Sequence, residues 1–153
     1  FPIKFWTTFT KTIYTLLPQD NHELSINQLV VIMKKTPKEL LHIAAQDLFD
    51  RKGFNILALD VKDVSSITDS ILIAEGSVER HVLALTDSLI ENLEKHGEKP
   101  VYVEGQEEGG WVIIDFIDFM VHIFTPELRE KYQLEVLWSE GKLITLDIAL
   151  SKV

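Results

Sequence analysis

Apolar residues after position 36 recur at helical spacing in two segments of the chain. The first segment opens with Thr36-Pro37-Lys38-Glu39, which has the spacing of a capping box with proline in the first turn. Its apolar stripe predicts a helix that ends by Gly53 and buries Leu40, Leu41, Ala44, Leu48 and Phe49. The second stripe predicts a longer helix, capped by Gly76-Ser77 and closed by Gly97, that buries Val78, Val82, Leu85, Leu89 and Leu93.

Short apolar runs between and after these helices predict strands. Two of them, 55–61 and 69–74, are apolar at successive positions, as expected for strands covered on both faces. Three more are predicted at 100–104, 111–115 and 119–124, and Thr125-Pro126-Glu127 starts a last short helix. The order of helix, two strands, helix, strand, hairpin and helix is typical of an α/β domain with a mixed β-sheet and flanking helices.

The remaining segments lie on either side of this domain. We therefore divide the chain into an N-terminal extension (1–36), a domain (37–138) and a C-terminal tail (139–153) read as one more strand or a loose end. Apolar residues from Phe5 to Leu17 suit a helix that stops at Pro18, although the many threonines favour a strand, and a short helix is expected over 26–34. An appendage packed on the domain or on a second subunit is the favoured role, and a membrane-surface helix is the alternative.

Charge is distributed unevenly over these parts. The 153 residues carry a net charge of −9, yet residues 1–36 hold four lysines against two acids, so they contribute +2 and the remainder −11. Such an acidic domain is unsuited to gripping nucleic acid through its phosphates, which requires a basic surface. We expect little direct RNA contact, and a basic protein is left open as a partner.

Residue types that are missing narrow the possible chemistry. The chain has no cysteine and no apolar run long enough to span a membrane, and residues 1–17 lack the features of a signal peptide. A cytoplasmic protein without membrane contact is expected. The five histidines are not spaced as metal ligands, and the glycines from Gly105 to Gly110 do not form a phosphate-binding loop. We therefore predict no catalytic residue, metal or cofactor.

One enzymatic alternative remains open. Gly76-Ser77 after a strand, with carboxylates on a later strand, is similar to the layout of metal-dependent nucleotidyltransferases. Asp115 and Asp118 are three positions apart across an apparent turn, so strand alternation does not aim both at one metal ion.

Several segments together resemble the ribosomal silencing factor (Iojap-like) family over residues 38–138. They are 58–61 (ALDV), 65–69 (SSITD), 76–82 (GSVERHV), 103–105 (VEG), Trp111, Asp115, Asp118, Val121, His122, Arg129, Tyr132, 134–135 (LE) and 137–138 (LW).

The resemblance implies a nucleotidyltransferase-like fold that has lost its catalytic carboxylates. It further implies a translational repressor that binds the large ribosomal subunit through a basic ribosomal protein at the intersubunit face and blocks joining of the small subunit. The matching tryptophan in the family contributes to this interface, so the resemblance assigns the same role to Trp111. Ile117 stands where the family has glycine, and isoleucine is strained there if the position requires positive φ.

The predicted partner surface is acidic with a large aromatic residue. No Lys or Arg occurs between Val101 and Glu127. We expect Trp111 to be an anchor within a patch made by Glu104, Glu107, Glu108, Asp115 and Asp118. Core packing for Trp111 and solvated turns for the acids are the alternatives, as is a dimeric scaffold without ribosome affinity.

Three further residues are expected to be structural. Tyr132 and Trp138 are predicted to pack the last helix onto the sheet, and Arg80 to pair with Asp60 or Asp69. Whether the chain forms a homodimer is left open.

Overall fold

The computed structural model describes residues 25–27 and 34–150. The chain divides into two compact units, Phe1–Lys34 and Lys35–Val153, and the fold described below is that of the second. The helices predicted over residues 5–17 and 26–34 lie outside the described residues, apart from Ile26 and Asn27, which are helical.

The second unit alternates helices with strands in the predicted order. Its elements are α1 (Pro37–Asp50), β1 (Phe54–Asp60), β2 (Ser70–Glu75), α2 (Glu79–Lys95), β3 (Tyr102–Glu104), β4 (Trp111–Asp115), β5 (Phe119–Phe124), α3 (Pro126–Tyr132), α4 (Leu134–Leu137) and β6 (Lys142–Leu143). None of the described helices is long and apolar enough to cross a membrane.

The six strands form one mixed sheet in the order β3-β4-β5-β2-β1-β6. The central β2 and β5 are parallel, and every other neighbouring pair is antiparallel. The predicted fold class, a mixed β-sheet with flanking helices, is confirmed.

The start of α1 confirms the predicted capping box. The backbone N–H of Glu39 donates to Thr36 Oγ1 at 3.2 Å, and the N–H of Thr36 donates to Glu39 Oε2 at 2.7 Å. The second of these bonds lowers the pKa of Glu39, because it stabilises the charged carboxylate.

The predicted cap of α2, Gly76-Ser77, is wrong, because the helix is capped one residue after Ser77. The N-cap is Val78, which makes no side-chain cap and is 54% exposed rather than buried. The backbone N–H of Ser77 donates instead to His81 Nδ1 at 3.0 Å, and the other ring nitrogen of His81 donates to the carbonyl of Arg51 at 2.9 Å. His81 therefore accepts from the residue that precedes the N-cap, and Ser77 does not cap the helix.

One face of the sheet, which we call the helix-covered face, packs against α1 and α2. The side chains that meet there are buried in a single core cluster. From the strands it includes Ala58, Leu72, Ala74, Val112, Ile114, Val121 and Ile123, and from the helices Leu40, Leu41, Ala44, Ala45, Leu48, Val82, Leu85, Leu89 and Leu93.

The second face of the sheet is covered only in part. Leu128, Leu134 and Trp138 pack on its β1, β2 and β5 side chains, so α3 and α4 protect that half, as predicted for Trp138. The half carried by β3, β4 and the start of β5 remains partly or fully exposed. This open strip consists of Tyr102, Glu104, Trp111, Ile113, Asp115 and Met120.

The segment after Trp138 runs along the edge of the sheet and then along α1. After β6 pairs with β1, the N–H of Ile144 donates to the carbonyl of Ala58 at 2.9 Å. The side-chain amide of Gln46 bonds both the N–H and the carbonyl of Ala149, at 2.8 and 3.1 Å. The described part of the tail is therefore fixed to the domain.

Candidate protein-binding surface

Trp111 begins β4 at the border between the covered and open halves of the second face. Its indole ring stacks on Phe124 with centroids 4.8 Å apart and lies 5.0 Å from the ring of Tyr132. Because the residue is only half-buried, part of its surface is available to a partner while the rest is held by neighbouring rings. Aromatic contacts of this kind fix side-chain orientation before binding.

His122 holds the polar edge of this indole. Trp111 Nε1 donates to His122 Nδ1 at 3.2 Å, which requires the imidazole proton to be on Nε2. His122 is 6% exposed, and burial lowers its pKa to about 4. The imidazole is therefore neutral near pH 7 and remains an acceptor.

Arg129 fixes α3, and with it Tyr132, beside Trp111. Its Nε donates to Glu135 Oε1 at 2.6 Å, and its Nη1 lies 3.3 Å from Glu75 Oε1 and donates to the carbonyl of Asn55. The arginine side chain is 11% exposed, so these are largely desolvated contacts. Sequence reasoning gave Arg129 no role, because its partners are on β1, β2 and α4.

The loop between β3 and β4 places three of the predicted acids near Trp111. Gly105 has φ +90, and a Cβ built there would stand 2.0 Å from the carbonyl oxygen of Trp111, so only glycine allows this close approach. Glu104, Glu107 and Glu108 are exposed and line a depression of about 480 Å³ on this loop. This part of the predicted patch is present.

The other two acids lie further along the hairpin, so the predicted patch extends along β4 and is not centred on Trp111. Asp115 ends β4 and Asp118 is in the turn before β5. Since a strand advances about 3.3 Å per residue, the Cα atoms of Trp111 and Asp115 are roughly 13 Å apart. Residues close in sequence are separated here because they lie along an extended strand, which places Asp115 and Asp118 away from Trp111.

Asp115 and Asp118 also differ in their surroundings. Asp115 is half-buried and its Oδ1 accepts from the N–H of Ile117 at 2.7 Å, whereas Asp118 is exposed. Glu104 pairs with Ile113 in the middle of β4, so it lies diagonally across from both Trp111 and Asp115 and connects the acids of the loop with those of the turn. No group of three or more His, Asp or Glu within residues 25–27 and 34–150 is placed to share a metal ion.

Two tyrosines extend the surface in ways the sequence did not suggest. Tyr102 pairs with Asp115 across β3 and β4 and is 58% exposed on the open strip. Tyr132 contacts Trp111 as part of α3 but is 50% exposed, so the predicted packing accounts for only half of its surface. Alternation in Tyr102-Val103-Glu104 was the available signal, because it puts Tyr102 and Glu104 on one face.

Arg80 is far from the acids proposed for it. It follows the end of β2 in the first turn of α2, whereas Asp60 ends the antiparallel β1 and Asp69 precedes β2. Both acids are therefore at the other end of the sheet, and the predicted ion pair is wrong.

Comparison with known proteins bears directly on this fold and surface. The family model described as "Ribosomal silencing factor during starvation" matches residues 34–152. The chain belongs to this family. The match includes the segment after Trp138 that is fixed to α1.

Relatives support the same family membership over most of the chain. A ribosomal silencing factor of Bacillus subtilis (strain 168) is 33% identical over 115 residues, covering 75% of this chain and 98% of that protein. A crystal structure of a Chromobacterium violaceum protein, 32% identical, superposes with a TM-score of 0.67 and covers 77% of this chain and 98% of that one.

A more distant relative comes from the mouse. It is named "Mitochondrial assembly of ribosomal large subunit protein 1" and is 31% identical over 88 residues, which cover 56% of this chain and 39% of that protein. The chain is therefore also similar to a protein whose name refers to the large ribosomal subunit.

Proposed function

We propose that this silencing factor binds the large ribosomal subunit through a basic ribosomal protein at the intersubunit face and sterically blocks joining of the small subunit. Family membership and the mouse relative's name support an association with the large subunit. The proposal includes a cytoplasmic location, no enzymatic activity and little direct contact with ribosomal RNA.

The observation that carries the proposal is the pre-organised Trp111 at the edge of the open strip. Its indole is oriented by His122, Phe124 and Tyr132 but remains half-exposed. Interface hot spots are enriched in such aromatic residues, since little side-chain entropy is lost when they bind. Acidic side chains along β4 complement a basic partner and speed encounter with it.

The proposed mechanism requires a shaped surface and no bond chemistry. Binding at the intersubunit face excludes the small subunit because both occupy the same volume. The acidic groups confer preference for ribosomal protein over the negatively charged RNA around it.

Sucrose-gradient sedimentation with separated ribosomal subunits tests this proposal. The wild-type protein is expected to migrate with isolated large subunits and to prevent their joining to small subunits. Trp111→Ala should weaken binding by roughly 30-fold or more, the effect of losing a hot-spot side chain. Glu104→Lys should weaken it less and chiefly by slowing association.

Two controls separate the surface from general effects. Glu94→Lys reverses an exposed charge on α2, on the other side of the sheet, and should bind as the wild type does. Circular dichroism should show that Trp111→Ala is folded. Normal co-sedimentation of folded Trp111→Ala would contradict the surface, and migration of the wild type with joined ribosomes would contradict the blocking mechanism.

A further inference from the structure

The turn between β4 and β5 holds an exposed isoleucine in a strained conformation. Ile117 has φ 74, and the N–H of Asp118 donates to the carbonyl of Phe116 at 3.0 Å, which is the hydrogen bond of a γ-turn. Positive φ is unfavourable for a β-branched residue, because its side chain clashes with its own backbone. The side chain is nevertheless 62% exposed, so packing within the domain does little to offset this strain.

A second exposed isoleucine lies on the neighbouring loop between β1 and β2. Ile67 is 69% exposed. The next residue, Thr68, is 5% exposed, and its Oγ1 donates to the carbonyl of Ile117 at 3.3 Å. The N–H of Asp69 also donates to the carbonyl of Asp118 at 3.3 Å. We call Ile67 and Ile117, on these two hydrogen-bonded loops, the isoleucine pair.

The surroundings of the isoleucine pair are acidic. Asp63, Asp69 and Asp118 are exposed on the two loops, and Asp115 is half-buried at the end of β4. Lys62 is on the same loop as Asp63, and Lys142 lies 3.9 Å from that carboxylate in an exposed ion pair. Acids therefore outnumber bases around two exposed apolar side chains, which complements a basic surface with an apolar centre.

We propose that the isoleucine pair is a second anchor for the basic partner that contacts Trp111. The inference rests on the function proposed above and extends its surface to the far end of β4. Trp111 and Asp115 are roughly 13 Å apart along β4 and the isoleucine pair lies beyond Asp115, a separation that fits within a standard interface of about 800 Å² per partner. Strain at Ile117 is retained because the exposed side chain gains its packing in the complex.

Ile117→Gly provides the decisive variant, because stability and binding should change in opposite directions. Glycine adopts positive φ without strain, so the urea midpoint should be equal to or higher than that of the wild type. The dissociation constant for isolated large subunits should rise about five- to tenfold, owing to loss of the apolar contact. Ile67→Thr keeps the branched side chain, removes apolar surface, and should weaken binding similarly.

Matched variants make each result decisive. Leu150→Ser removes an equally exposed apolar side chain from the tail on α1 and should bind as the wild type does. Unchanged binding of Ile117→Gly, with Trp111→Ala impaired, would overturn the second anchor and leave the proposed function intact. Failure of the wild type to bind large subunits would overturn both. Loss of a homodimer in Ile117→Gly, with subunit binding unchanged, would assign the isoleucine pair to self-association and overturn the inference.

Discussion

The two faces of the sheet differ in how deeply their side chains are buried, and neighbouring residues of β4 show the difference. Val112 and Ile114 point to the helix-covered face and are 0% exposed, whereas Trp111, Ile113 and Asp115 point to the second face and are half-buried. One strand therefore supplies both the core and the surface. The backbone of the proposed binding surface is therefore held by the core side chains of the same strand.

Polar groups follow the same division. On the helix-covered side, Asp47 is 9% exposed and accepts from Ser88 and Asn92, which ties α1 to α2. On the second face, His122 instead orients a side chain that remains partly exposed. The bonds of Asp47 complete a contact between two helices, whereas the bond of His122 orients a side chain that has no such complete set of contacts.

The difference between the two faces is tested most directly by replacing the adjacent residues Ile113 and Ile114 of β4 with alanine. Ile114→Ala should lower the free energy of unfolding by about 3–4 kcal/mol, because it leaves a cavity between the sheet and its helices. Ile113→Ala should cost about 1 kcal/mol, since its site is partly solvated. Urea unfolding measures both, and equal losses would show that the two faces contribute alike.

Lowering the pH tests the contribution of His122 on the second face. Burial lowers the pKa of His122 to about 4, whereas an unfolded histidine titrates near about 6.5. Between these values the unfolded chain binds more protons, so this contribution is complete above pH 6.5 and is lost as the pH falls toward 4. The expected loss by pH 4 is roughly 2–3 kcal/mol.

Urea unfolding at several pH values measures this dependence, with His122→Gln as the control. Glutamine keeps an acceptor for the Trp111 indole but does not titrate, so the variant should lose less stability than the wild type between pH 6.5 and 4.5. The same slope in both proteins would show that His122 is not responsible.

The smallest expected effect concerns the hairpin turn at the end of β4. Ile117→Gly should raise the free energy of unfolding by about 1 kcal/mol, as relief of strain exceeds the entropy that glycine adds to the unfolded chain. Urea denaturation of the purified variant measures the change. A less stable variant would mean that Ile117 packs within the domain more than its exposure indicates.

Local pattern was sufficient for most elements of the fold. β4 and β5 have the predicted bounds, and the capping box of α1 forms as expected. The family-typical glycine also identified the unusual backbone at Ile117, which has positive φ. These features depend on residues close together in sequence or on steric limits of the backbone.

The failed predictions depend on contacts between distant segments. Arg129 found its partners on other elements, and Arg80 lies at the other end of the sheet from Asp60 and Asp69. The acids from Glu104 to Asp118 were predicted to meet around Trp111, yet they extend along β4, because direction along a strand determines distance as much as sequence spacing does. Whether Tyr102 and Tyr132 are exposed depends on how much of the second face α3 covers, which the local sequence does not show.

The tail on the β1 edge has a consequence for aggregation. β1 is seven residues long, and its outer side is paired over residues 58–60 by the two residues of β6 and by the bond from Ile144 to Ala58. A chain shortened after Trp138 would expose the unpaired N–H and carbonyl groups of an apolar strand, which other chains can extend as a growing sheet. We therefore expect the residues of the tail that pair with β1 to reduce intermolecular β-sheet formation during synthesis and storage.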